Sequence, residues 1–177
     1  MVDDEFKSLY NTIQHDVGQR KDDFMKPIII YYSRSGNTEK IALQAKEDLN
    51  CEAIKIVPEE AYGNYISACL RVTKEKKAPV APAFLTPIPD LSGYDVILLG
   101  YPIWAQDIPR FVADFIEKCD LTSKTVVPFA TYGMSGINWT MKHLKQLCVN
   151  AGIKLPFDSG VFKKGNYEQW ITDVKNL

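Results

Sequence analysis

Ser33, Ser35, Asn37 and Thr38 crowd around Gly36 directly after the apolar run Ile28-Ile29-Ile30-Tyr31-Tyr32. A strand that empties through such a turn into a helix leaves the first helical N–H groups without intrahelical partners, at the positive end of the helix dipole. That is the chemistry of a phosphate site. The short side chains add hydroxyl and amide groups, with Arg34 among them, and Gly36 lets the backbone come close or take positive φ. The plain alternative is an ordinary strand-to-helix turn with Thr38 as the N-cap. A triphosphate loop needs a lysine directly after its last glycine, and here Lys40 comes too late in the helix. The dinucleotide fingerprint Gly-x-Gly-x-x-Gly is missing from the chain. A monophosphate held by hydroxyls and amides fits what is left.

Two further stretches place an aromatic ring where a strand ends. Tyr101-Pro102-Ile103-Trp104-Ala105-Gln106-Asp107-Ile108-Pro109 follows the most hydrophobic run, Asp95–Gly100. Thr131-Tyr132-Gly133-Met134-Ser135-Gly136 follows Lys124–Ala130. Trp104 in a proline-bounded loop either caps the core or faces a ligand. His15 lies among polar neighbours and His143 among lysines, outside these loops, and no Ser/His/Asp constellation is written. Cys51, Cys69, Cys119 and Cys148 are widely spaced with no Cys-x-x-Cys, so neither a zinc knot nor a dithiol motif is present. No catalytic side chain and no metal ligand is therefore assigned.

The intervening periodicity says what must position these loops. Ile41, Ala42, Ala45 and Leu49 give one buried face of a helix from Thr38 to Leu49. A partly alternating strand at Cys51–Val57 suits a sheet edge, and Asp95–Gly100, apolar on consecutive positions, suits the centre. Between them Tyr62, Tyr65, Ile66, Cys69, Leu70 and Val72 predict a helix, its Lys74–Lys77 end solvated, before a surface excursion carrying Pro79, Pro82, Pro87 and Pro89. Pro109 opens a helix with Phe111, Val112, Phe115 and Ile116, and Pro128 requires a place in its strand where an N–H is not needed. A helix bearing Ile137, Met141 and Leu144, an edge strand within 153–162, and a closing helix with Trp170, Ile171 and Val174 complete the domain. Ahead of it, Phe6, Leu9, Tyr10, Ile13 and Val17 form a helical stripe, so the chain divides into an N-terminal helical extension, 1–26, and a main domain, 27–177. The stripe must bury itself against that domain or against a second subunit.

Strands alternating with helices define an α/β architecture, a parallel sheet wound on both faces. Right-handed crossovers put all strand exits at one edge, so the three loops converge there. A common ligand would carry a phosphate and a flat ring for Trp104 and Tyr132 to sandwich. A net charge of −1, from 21 basic and 22 acidic residues in 177, gives no field that recruits nucleic acid or a membrane surface. The acidic start, the free cysteines and the lack of a long apolar run place the protein in the cytoplasm.

The spacing of Tyr31, Ser33, Gly36, Thr38 and Ala42 resembles the flavodoxin signature, with Ala45 smaller than the usual aliphatic. Together with Gly100-Tyr101-Pro102-Ile103-Trp104 and Asp107-Ile108-Pro109-Arg110, it is similar to the flavodoxin-like FMN oxidoreductases over residues 27–177. The resemblance implies a five-stranded sheet of order 2-1-3-4-5 and FMN as cofactor. Its phosphate would lie on Ser33, Arg34, Ser35, Gly36, Asn37 and Thr38. Its ring would lie between Pro102, Ile103, Trp104, Ala105 and Asp107 on one side and Thr131, Tyr132, Gly133, Ser135 and Gly136 on the other. The implied activity is transfer of electrons from a reduced nicotinamide to a quinone-like acceptor. The alternatives are a one-electron carrier docking to redox proteins and a flavin-free interaction module.

Overall fold

The computed structural model describes residues 25–132, 160–162 and 167–177. The N-terminal stripe, His15, the 137–151 helix with His143, and Gly133, Ser135 and Gly136 lie outside the described residues. Within them the chain forms β1 (Pro27–Tyr31), α1 (Asn37–Leu49), β2 (Glu52–Lys55), α2 (Tyr65–Glu75), β3 (Val96–Pro102), α3 (Arg110–Lys118), β4 (Thr125–Thr131), β5 (Gly160–Phe162) and α4 (Tyr167–Lys175).

The strands pair in parallel in the order β2-β1-β3-β4-β5. The run β2-β1-β3-β4 forms the body of the sheet, and β5 adds three residues against Phe129–Thr131. β1 and β3, whose side chains are buried on both faces, lie side by side with Ile28 opposite Ile97 and Tyr31 opposite Gly100. The connection from β1 turns toward β2 and that from β3 toward β4, so the strand order reverses between β1 and β3. Ligands of open α/β sheets bind outside the carboxyl ends at that reversal. Pro128 falls one residue before the pairing with β5 begins, where its missing N–H costs no bond to that strand.

Each face of the sheet carries its own core. Ile29, Tyr31, Leu98, Val127 and Phe129 pack against Ala42 and Ala45 of α1 and Trp170, Ile171 and Val174 of α4. Ile28, Ile30, Ile97, Leu99 and Val126 pack against Ala68 and Val72 of α2 and Phe111, Val112, Phe115 and Ile116 of α3. A Cβ at Gly100 would stand 2.2 Å from Cζ of Phe129, so only glycine lets that ring cross β3.

The structure differs from the sequence reading at two helices. α2 buries Ala68, Val72 and Glu75 and turns Ile66 and Leu70 out to solvent. It is fastened at both ends to the carboxyl edge of the sheet, Arg34 Nη1 donating to Gly63 O just before its start at 2.9 Å and Lys76 Nζ to Ala105 O just past its end at 2.8 Å. The N-cap of α1 is Gly36 and not Thr38, which lies inside the first turn.

Candidate functional site at the carboxyl edge

Tyr32 N–H still donates to Gly100 O at 2.8 Å as the chain leaves β1, which holds the first loop against β3. Gly36 takes φ 87°, a left-handed conformation that favours glycine, and a Cβ there would meet nothing within 4 Å. Glycine is needed for its dihedral, while the space above the turn stays open. The buried Ser33 Oγ accepts the Gly36 N–H at 3.1 Å and keeps its own hydrogen to give. Arg34 Nε is buried with no partner among the described residues, an orphaned donor beside the same turn that an anion's oxygen would satisfy. Ser35 and Asn37 are exposed.

Thr38, 1% exposed, brings Oγ1 to 2.8 Å from Oγ1 of Thr131 at the end of β4. Two hydroxyls carry two hydrogens, and the bond between them consumes one. The backbone of Thr131 serves the second loop, its C=O accepting the Ile103 N–H at 2.8 Å. One residue thus joins the loop after β1 to the loop after β3 and itself opens the loop after β4.

The second loop begins later than expected, because β3 runs on through Tyr101 and Pro102. Trp104 and Asp107 exchange N–H···O bonds of 3.1 and 2.9 Å, closing a two-residue turn in which Ala105 (φ 46°) and Gln106 (φ 64°) are both left-handed. Such a conformation costs on the order of 1–3 kcal/mol for each non-glycine residue and collects at functional sites. Lys76 holds the turn, through the Ala105 carbonyl and a 3.3 Å ion pair with Asp107, and Asp107 Oδ1 caps the Ile108 N–H at 2.9 Å. Arg110 Nη1 ties the start of α3 to the end of α2 by donating to Glu75 O at 2.6 Å and to Ala78 O.

The stacking role expected of Trp104 needs correction. Its indole is 3% exposed, edge-on to Tyr32 at 5.6 Å between centroids and 5.0 Å from Tyr62, which approaches beneath α2. Trp104 therefore closes the core behind the loop, and Tyr132, half-buried, packs on the same cluster. Pro102, Ala105, Gln106 and Asp107 remain partly or wholly exposed there, whereas Ile103 is buried. The sequence marks neither Gln106 nor Lys76: no glycine or asparagine announces the turn, and Lys76 stands in a lysine run that reads as a solvated helix end.

The ionisable groups nearby are settled. Burial, reinforced by the bond its hydroxyl donates to Glu39, pushes the Tyr31 phenol up to about 12, and burial raises Tyr32 as well, so both stay neutral. The Glu39 carboxyl is held below its ordinary value first by its hydrogen bond from Lys55 Nζ, 2.7 Å away. That bond turns the carboxylate of the first helical turn toward β2.

A family model described as Flavodoxin matches residues 26–174. The chain belongs to the flavodoxin family, whose cofactor is FMN, and its α/β parallel sheet is the flavodoxin-like fold. Two solved Bacteroides proteins, provisionally described as flavoproteins, are similar over most of the chain. The match to the one from Bacteroides eggerthii has 28% identity and a TM-score of 0.73, spanning 86% of this chain and 99% of that one. For Bacteroides uniformis the figures are 29% and 0.71, over 84% and 98%. A flavoprotein from Lactobacillus acidophilus, solved in complex with FMN, shares the fold at 18% identity and a TM-score of 0.69, over 82% and 98%. No curated protein matches the chain.

Proposed function

We propose that this chain is an FMN-dependent oxidoreductase that takes electrons from a reduced nicotinamide and passes them to a quinone-like acceptor. The observation that carries the cofactor assignment is the junction at Thr131, where three strand exits are bonded together beside the open space over Gly36. Ser33, Arg34, Ser35, Gly36, Asn37 and Thr38 would hold the phosphate, with the free hydroxyl hydrogens and the orphaned Arg34 Nε as donors. Pro102, Ile103, Ala105, Asp107, Thr131, Tyr132, Gly133, Ser135 and Gly136 would flank the ring, with Trp104 supporting the loop from behind. FMN, when bound, supplies the hydride and single-electron chemistry. The chain's own residues bind it, orient it and hold the strained turn beside it.

A net charge of −1 favours small-molecule partners over long-range steering onto a charged redox protein. The free thiols of Cys51, Cys69 and Cys119 support a reducing, cytoplasmic location. No helix among the described residues is long and apolar enough to cross a membrane. Stopped-flow mixing of the flavin-loaded protein with NADH or NADPH, followed by a quinone, tests the activity. Bleaching of the flavin band and its return on adding quinone are expected, whereas no turnover with any pair would leave the one-electron carrier. A further reading, a flavin-free interaction module with Trp104 and Tyr132 as partner contacts, is not favoured by an indole that is 3% exposed. A colourless preparation that leaves added FMN fluorescence unquenched would establish it.

A further inference from the structure

α2 presents a line of side chains that nothing among the described residues covers. Ile66, Leu70 and Lys74 follow at steps of four residues along α2, which places them on one helical face, and Lys77 stands in the turn just past its end. Ile66 is 71% and Leu70 63% exposed, while Lys74 and Lys77 are exposed and form no ion pair among the described residues. The line is apolar toward the start of α2 and basic toward its end.

The amino-terminal sequence carries the complement in reverse order. Asp3-Asp4-Glu5 comes first, then Phe6, Leu9, Tyr10, Ile13 and Val17 at helical spacing. Laid antiparallel, the three acids meet Lys74 and Lys77 while the apolar positions meet Leu70 and Ile66. The seven steps from Gly18 to Met25 reach about 25 Å, against about 17 Å for the length of β1 that separates the two edges of the sheet. The family match begins at residue 26, so this segment is an addition to the flavodoxin-like domain. We propose that residues 3–17 dock, within the same chain, along the exposed face of α2, with the acids on Lys74 and Lys77.

Carbodiimide coupling of the full chain at low salt tests this, because it joins a carboxylate to an amine with no spacer. Mixing isotopically light and heavy chains separates bonds within one molecule from bonds between two. The expected products link Asp3, Asp4 or Glu5 to Lys74 or Lys77 within one chain, and fall off in high salt. In parallel, Ile66→Gln with Leu70→Gln, both on the surface, should speed amide exchange in residues 6–17 by at least about tenfold. Couplings only to other lysines, light-to-heavy products, or exchange in 6–17 that the double substitution leaves unchanged would each overturn the proposal. Light-to-heavy products would assign the face to a second copy instead.

Discussion

Thr38 and Thr131 join their hydroxyls at 2.8 Å across 93 residues of sequence. β1 and β4 are not neighbours in the sheet, since β3 lies between them, so the bond spans the carboxyl edge at the point where the strand order reverses. Substituting Thr131→Val keeps the shape and removes one hydroxyl. The Thr38 hydroxyl, buried beneath it, then loses its partner at a cost of about 1–3 kcal/mol. In a chain of this size each kcal/mol lowers Tm by about 2–4 °C. Thermal unfolding should show a drop of that order for Thr131→Val and little for Thr131→Ser.

Gly36→Ala isolates the backbone of the first loop. The new methyl finds nothing within 4 Å, so the cost comes from holding alanine at φ 87°, about 1–2 kcal/mol. Relief of that strain would turn the loop N–H groups away from the phosphate position. FMN affinity should weaken by about tenfold, the equivalent of ~1.4 kcal/mol, while riboflavin, which has no phosphate, binds the variant and the parent alike. Fluorescence titrations with the two flavins read the difference.

Gly100→Ala acts on packing alone. Its Cβ would lie 2.2 Å from the Phe129 ring, between two central strands that cannot separate. Overpacking of this kind costs typically about 1–3 kcal/mol. Adding Phe129→Leu should return part of the loss, because the residues touch and their effects do not add. Urea midpoints of the two variants check it.

The Lys55–Glu39 bond sets a pH dependence of known sign. Glu39 is held below its ordinary pKa in the folded chain, so its contribution is complete above the unfolded value, about 4.3, and is lost as pH falls through the folded value. Both side chains are partly exposed, which limits the effect to about 0.2–1 kcal/mol. Glu39→Gln should therefore be less stable than the parent at pH 7 and equal to it near pH 2 in urea unfolding.

The elements that obey a simple period were legible in the sequence. The consecutive apolar residues of β1 and β3 place both strands inside the sheet, and the small polar turn at Ser33–Thr38 is legible because glycine and hydroxyls announce it. The burial of Trp104 was not legible, since it depends on Tyr62, which arrives from the stretch of chain ahead of α2 and is remote from Trp104 in sequence. Ala105 and Gln106 carry no mark of a left-handed turn, because the strain is imposed by the Trp104–Asp107 pairing and held by Lys76. Ile66 and Leu70 fit the helical period of α2 yet face outward, because Ala68, Val72 and Glu75 occupy its inner side.

The grip of the edge loops on a phosphorylated flavin is tested most directly by titrating the protein, stripped of any bound cofactor, into FMN and into riboflavin and following flavin fluorescence. Saturable quenching of FMN at one equivalent, with riboflavin bound markedly more weakly, is the predicted result. Unquenched FMN, or equal affinity for the two flavins, would contradict a phosphate held at Ser33–Thr38.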